Sequence, residues 1–379
     1  MSTERSDYLV VGGGAVGSAA AWQLARAGRQ VTLLERFQPG HAKGASHGAS
    51  RIFRLGYPNR TYLELARAAE RQWRELEELT ASQLLTITGS VEHGSMDYLA
   101  PLAEQLSAAG LSDSEWLPAT EATRRWPGFS FAGNVFYQPY SGRLHADRSV
   151  AALQRSAVAH GAVVRHETAA TSIAVTGADS VEVRTEGVTY RARRLIVAAG
   201  SWTQQLLGDQ LPLPRLRVTQ EQPAHFAARI AEADWPAFGH VFEPGTADAE
   251  LFYGGIYGLA TPGEGIKVGF HGVGPEVAPD DRNYLPEAGQ LARLVEYARR
   301  WLPGVDAEKF IPISCTYTST VDANFVLDRY GPIVVGAGFS GHGFKHVPAV
   351  GQLLADLATG QRSTDPLFAF GSRRDPLPV

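Results

Sequence analysis

Lys267 and His271 fall on one side of an alternating stretch, Gly265-Ile-Lys-Val-Gly-Phe-His271, because side chains two apart share a strand face. If that face lines a cleft, it offers an ammonium that can stabilise developing negative charge. The loop Ser46-His47-Gly48-Ala-Ser-Arg51-Ile-Phe-Arg54 carries two arginines three apart. On a helical turn they would share one side and present two cations to a cofactor or an anionic ligand; a solvated turn explains them as well. Cys315 is the single cysteine, which excludes an intramolecular disulfide and any multi-cysteine metal site. On its own it reads as a small buried apolar residue.

The element that must position these groups opens at Asp7. An apolar run leads to glycines at 12, 14 and 17, with Ala15 and Val16 beginning an alanine-rich helical pattern. Gly12 permits the turn, Gly14 lets backbone approach a pyrophosphate, and Gly17 lets the helix pack on the strand. Val31-Thr-Leu-Leu-Glu35 then ends in a carboxylate followed by Arg36. Glu35 stands 18 positions past Gly17 (35 − 17), where a ribose-binding acid belongs. The pattern predicts a dinucleotide site and leaves NAD and FAD open.

Two further segments repeat this grammar. Arg194-Leu-Ile-Val-Ala-Ala-Gly200-Ser-Trp202 reads as a buried parallel strand ending in a second cofactor-facing turn. Gly331-Pro-Ile-Val-Val-Gly-Ala-Gly338-Phe-Ser-Gly341-His-Gly343-Phe344-Lys345 gives strand, glycine turn and a helix over about 346 to 359. Between them, residues 215 to 320 have the alternating, aromatic texture of an antiparallel sheet, with strands at 249–257 and 265–271. Amphipathic helices are predicted at 61–79, 96–109 and 285–301, a strand at 84–91, and a short helix capped by Thr120. The expected fold is α/β plus α+β: a discontinuous Rossmann-like cofactor domain (1–83, 145–214 and 321–379) with a substrate domain (84–144 and 215–320) built on a mainly antiparallel sheet.

Composition narrows the partners. Hydrophobic residues make up 44% and charged residues 20%, with a formal charge of −4, so nothing favours nucleic acid or an anionic membrane surface. Arg191, Arg193 and Arg194 read as a solvated strand edge. No apolar run nears the roughly 20 residues that span a bilayer, and the first strand leaves no room for a signal sequence. A cytoplasmic protein is expected.

Taken together, Gly12-Gly-Gly14-Ala-Val-Gly17, Ser46-His47-Gly48-x-x-Arg51-x-x-Arg54, Lys267 in a strand, Cys315-Thr-Tyr317-Thr and Gly338-Phe-Ser-Gly-His-Gly-Phe-Lys345 resemble the monomeric sarcosine oxidase and N-methyltryptophan oxidase family. Fructosyl amino acid oxidases are near neighbours. The resemblance spans residues 6 to about 370. It implies a monomeric enzyme with FAD held covalently by a thioether, for which Cys315 is the matching residue, and oxidation of a secondary amino acid to an imine with dioxygen reduced to hydrogen peroxide. It implies His47 and Arg51 against the flavin, Lys267 as the oxygen-activating lysine, and Arg54, Lys345 and the Tyr317 hydroxyl on the substrate carboxylate. Tyr253 and His271 would line the substrate side. Ala49 departs from relatives that carry an acid there, and 220–260 matches least. The rivals are a flavin dehydrogenase using another acceptor, an NAD-dependent dehydrogenase, and a non-catalytic flavin-binding subunit.

Overall fold

Two eight-stranded sheets carry the chain, and the surfaces between them line one large cavity. The computed structural model describes residues 2–57, 59–208 and 210–371. Those parts of the expected division that fall on Met1, Pro58, Asp209 and 372–379 lie outside the described residues. The architecture is the mixed α/β one that the sequence predicts.

The first sheet is centred on Ser2–Val11, which pairs in parallel with Val188–Val197 on one side and Val31–Leu34 on the other. Val163–Arg165 and Ile333–Ala337 extend it in parallel. Their apolar cores, Leu9, Val10, Leu33, Leu195, Ile196 and Val334, are wholly buried, as expected when a parallel sheet is covered on both faces. The opening strand is five residues longer than its apolar run: polar residues 2–6 register against 188–192, because the long strand Val188–Val197 offers hydrogen-bond partners beyond the core. Behind the sheet, helix Ala15–Arg26 packs on the closing helix Val347–Thr359. A Cβ on Gly351 would stand 2.5 Å from the Ala19 Cβ, so small residues set that close approach.

The second sheet runs Val305–Pro312, Ala224–Ala228, Gly265–Gly269, Gly255–Thr261, Ala237–Val241, Ser90–Gly94, Val135–Gln138, Glu115–Leu117, antiparallel except where Ala237–Val241 meets Ser90–Gly94. Two small sheets bridge the larger ones: Arg51–Phe53 with Gly142–Leu144 and Leu85–Ile87, and Arg217–Glu221 with Cys315–Ser319. Among the described residues no helix is long and apolar enough to cross a membrane.

Four local expectations are corrected. The predicted strand 84–91 is two strands in different sheets, Leu85–Ile87 and Ser90–Gly94, parted at Gly89 (φ 73°), where the Tyr137 ring leaves no room for a Cβ. The predicted strand 249–257 begins as helix Ala247–Leu251, because Thr246 caps it by accepting from the Ala249 N–H. Tyr253 and Gly254 then take positive φ and the strand starts only at Gly255. The short helix Ala119–Arg125 is entered from Pro118, so Thr120 lies inside its first turn and does not cap it. Arg51 lies in a strand rather than a helical turn, and residues three apart in extended chain point to opposite faces. The two arginines therefore serve different parts of the cavity.

Candidate active site

The opening turn is shaped by close backbone approach. Gly12 has φ 105°, and a Cβ there would meet the Ala198 carbonyl oxygen at 2.3 Å. A Cβ on Gly17 would meet the Gly12 carbonyl at 1.9 Å, so Gly17 seats the helix on the strand and does not line the cavity. Helix Ala15–Arg26 has no acidic residue in its first turn, and its Ala15 N–H donates to Ser46 Oγ at 3.1 Å. This leaves the positive end of the helix facing the cavity, as a phosphate requires. Buried Glu35 accepts from the Gly13 N–H (2.6 Å) and the Phe37 N–H (2.9 Å) and faces His41 at 3.4 Å. Burial works to raise its pKa, but the His41, Phe37 and Gly13 contacts outweigh it and keep the carboxyl below its ordinary range. Arg36 pairs with Asp280 at 2.9 Å, and the same carboxylate accepts from Trp202 Nε1 at 2.9 Å, closing that end of the cavity beyond Gly200.

Farther along, Arg51 is held by carbonyl oxygens: Ser50 (2.7 Å), His47 (2.6 Å) and Ala45 (2.9 Å). Its guanidinium lies 3.9 Å from Cys315 Sγ, a free and half-buried thiol. Lys267, central in its strand and buried, donates to the same Ser50 carbonyl at 3.3 Å. Burial, then the nearby Arg51 charge, pulls its ammonium down to about 7. His47 beside them is pushed to about 3 by burial and by Arg51 and Lys267, so its imidazole is neutral; its Nε2 is buried with no protein partner.

The other wall gathers around Tyr57. Lys345 donates to the Tyr57 hydroxyl (2.9 Å) and to the His342 carbonyl (2.9 Å), and its own carbonyl is fixed by Trp73 Nε1 at 3.0 Å. Burial first, then Arg54, drives its pKa well below the ordinary lysine value. Arg54 lies over the Tyr57 ring (5.6 Å to the centroid), donates to no backbone carbonyl among the described residues, and instead donates to the Tyr98 hydroxyl at 3.2 Å and faces Glu92 at 3.7 Å. Glu92 is buried, and burial raises its pKa against the pull of Arg54. Tyr317 is buried, hydrogen-bonded to Tyr257, and presses on Gly341 (φ 76°), where a Cβ would stand 2.2 Å from its ring. His271 lies just past the end of the Lys267 strand, 5.1 Å from the Tyr317 ring. Loss of water, then Arg54 and Lys345, takes it to about 4, although the cavity leaves part of its ring open. Tyr253 is exposed at the mouth, its ring against Phe270 and Arg293.

All these groups except Gly17, Trp73, Phe270 and Arg293 line a single cavity of about 1780 Å³, as do Gly14, Val16, Gly343 and Phe344. Ordinary small-molecule pockets hold about 300–1,000 Å³, so there is room for a dinucleotide and a substrate together. The glycine turn, the helix end without an acidic residue, the Glu35 carboxylate and the orphaned His47 nitrogen fit a dinucleotide cofactor laid along the cavity. Sequence reasoning missed Glu92, Tyr57 and Tyr98. Glu92 leaves one local trace, an acid in a strand otherwise fit for burial, and the space it fills is provided by Gly239 on the neighbouring strand, where a Cβ would lie 2.0 Å from Glu92 Oε2.

A family model described as FAD dependent oxidoreductase matches residues 7–357. A monomeric sarcosine oxidase from a Bacillus species is 33% identical over 98% of this chain and 97% of its own length. A peroxisomal sarcosine oxidase from Mus musculus is 33% identical over 94% and 93%. Among solved structures, NikD, an unusual amino acid oxidase essential for nikkomycin biosynthesis, superposes with TM-score 0.85 at 29% identity, covering 97% of each chain.

Proposed function

The chain belongs to the FAD dependent oxidoreductase family, and from that premise we propose that it oxidises a secondary, N-substituted amino acid to an imine that hydrolyses, with dioxygen as acceptor. The observation that carries this reading is the shared Ser50 carbonyl, which fixes Arg51 and Lys267 together beside the Cys315 thiol on one wall. The cationic pair Arg54 and Lys345 lies across Tyr57 on the other. Bound FAD supplies the two-electron acceptor for the amino acid and the electrons that reduce dioxygen to hydrogen peroxide.

The residues of the chain do the rest. Gly12, Gly14, Ala15 and Val16 at the helix end, and Glu35 hold the pyrophosphate and ribose, with Arg36, Ser46, Gly200 and Trp202 along the same trough. His47, Arg51, Gly341, Gly343 and Phe344 border the reacting ring. Cys315 is the attachment point, its thiol beside the Arg51 guanidinium. Arg54 and Lys345 clamp the substrate carboxylate, joined by the Tyr317 hydroxyl, which orients the carbon to be oxidised. The same positive charge favours the neutral form of the substrate amine, so no strong base is needed. Tyr253 and His271 border the N-substituent. The Lys267 ammonium stabilises the negative charge that builds on dioxygen. We read 1–83, 145–214 and 321–379 as the cofactor-binding part and the remainder as the substrate part, in a protein that acts as a monomer, as one relative's name states of itself.

A peroxide-coupled screen of N-methyl, N-fructosyl and cyclic amino acids tests the activity. Peroxide formed in step with amino acid consumed supports it, whereas activity confined to primary D-amino acids, or substrate oxidation without peroxide, overturns it. Acid precipitation tests the attachment: colour stays with wild-type protein and passes to the supernatant from Cys315→Ser.

A further inference from the structure

The second sheet contains a chain of hydrogen-bonded side chains that the reading above does not use. Glu264, about half exposed at the hairpin turn, lies 3.1 Å from His225 Nδ1. His225 Nε2 lies 3.4 Å from Thr261 Oγ1, and Thr261 Oγ1 lies 2.6 Å from Ser50 Oγ. Thr261 and Ser50 are completely buried and His225 nearly so. Ser50 is the residue whose carbonyl receives both Lys267 and Arg51. The sheet register explains the alignment: His225 stands directly opposite Lys267 on the neighbouring strand, and Thr261 ends the strand on the other side.

A neutral buried imidazole has one donor and one acceptor nitrogen, and Glu264 and Thr261 stand at the two nitrogens of His225. Here the groups form an unbroken line of exchangeable protons from a solvated acid to the wall that bears Lys267, each member able both to give and to accept.

We propose that Glu264, His225, Thr261 and Ser50 form a proton relay from solvent to the Lys267 wall, supplying protons consumed when dioxygen is reduced. The inference rests on the reading of Lys267 as the oxygen-side residue. The reduction is O2 + 2 e⁻ + 2 H⁺ → H2O2; the two electrons come from the amino acid, which gives up two electrons and two protons as its C–N bond becomes C=N. In each relay event the Ser50 hydroxyl gives its proton to reduced oxygen and takes one from Thr261. Thr261 takes one from His225 Nε2–H while the bare Nδ1 takes one from the Glu264 side, and the imidazole and hydroxyls reorient before the second proton passes. No charge is left in the buried section, in keeping with an imidazole that burial, Lys267 and Arg51 hold at about 3. Ser50 alone meets the reduced oxygen; Glu264, His225 and Thr261 touch neither substrate nor cofactor and act through it.

The oxygen half of the test needs no amino acid, and the reductive half uses any amino acid that the peroxide screen finds oxidised. Holoenzyme reduced with dithionite is mixed with oxygenated buffer, and reoxidation is followed by the flavin absorbance in H2O and D2O. Thr261→Val, nearly the same shape without the hydroxyl, is expected to slow reoxidation on the order of a hundredfold relative to reduction by an amino acid from the screen. Thr261→Ser restores it, and Glu264→Gln, at the exposed end where folding is not at stake, slows it less. Independently of turnover, 15N spectra of histidine-labelled protein, with His225 assigned by its loss in His225→Gln, should show its tautomer shift in Glu264→Gln. If Lys267→Met slows reoxidation while Thr261→Val does not, the relay is wrong and the oxygen-side reading stands. If Lys267→Met reoxidises at the wild-type rate, both fall. Equal slowing of both half-reactions in Thr261→Val, or a His225 signal indifferent to Glu264→Gln, also overturns the relay.

Discussion

Arg51 and Arg54 stand three residues apart, at the start of a short strand and just past its end, yet build two walls of opposite design. On the Arg51 wall both cations rest on backbone carbonyls, and among the described residues neither Arg51 nor Lys267 has a carboxylate at salt-bridge distance. Carbonyl dipoles are fixed and do not titrate, so the positive charge there is oriented without being cancelled. On the Arg54 wall Arg54 rests on side chains, the Tyr98 hydroxyl and the buried carboxylate of Glu92, while Lys345 divides its bonds between the Tyr57 hydroxyl and the His342 carbonyl. That wall is partly neutralised before any ligand arrives. The difference teaches that one wall suits an anion that stays, the other an anion that must enter and leave every turnover.

The largest expected effect comes from breaking the second wall. Arg54→Met should raise KM for the amino acid on the order of a hundredfold or more, through loss of a charge-assisted contact in a buried site. It should also lower stability by about 3 kcal/mol, because Glu92 is left buried without its cation. Glu92 can escape by protonating, so the stability loss should grow as pH rises above the ordinary carboxylate range and shrink below it. Chemical denaturation across pH checks this. Arg54→Met with Glu92→Gln should recover stability but not KM, and recovery of both would show that the arginine serves only Glu92.

The first wall should respond differently. Lys267→Met is expected to slow reaction with dioxygen about a hundredfold and to leave KM for the amino acid near wild type. In the wild-type protein the oxygen reaction should be fast while Lys267 is protonated and fall as pH rises through a midpoint at or above about 7, since an anion beside it raises the value. That pH dependence should vanish in Lys267→Met; its persistence would assign the titration to another group.

Much of this was legible in the sequence because it is local. Gly12, Gly14 and Gly17 announce the turn, Glu35 its carboxylate, and Lys267 its buried position through strand alternation. What was not legible depends on partners far away in sequence. The segment 84–94 shows strand character throughout, but nothing local says that Gly89 passes the chain from one sheet to another. The spacing of Arg51 and Arg54 suggests one face only if the backbone is helical, and pairing with Gly142–Leu144 makes it extended. Glu92 and His225 look like ordinary strand residues until Gly239 and Thr261 are placed beside them.

The finest distinction between the walls is a proton. Lys345 is buried beside Arg54, and both effects lower its affinity for a proton in the free protein. A carboxylate placed between them reverses the second effect and offsets part of the first, so the bound-state pKa must be the higher one. At any pH between the free and bound values, binding a carboxylate takes up a fraction of a proton from solvent, and affinity falls as pH rises through that window. Calorimetric titration of the holoenzyme with a small carboxylate such as propionate, repeated in buffers of different ionisation enthalpy, should register this uptake. It should be lost in Lys345→Met and kept in Lys267→Met, because Lys267, held on the Ser50 carbonyl beside Arg51, belongs to the other wall. Loss of the uptake in Lys267→Met instead would mean that the carboxylate binds against Arg51, and the assignment of the two walls would have to be exchanged.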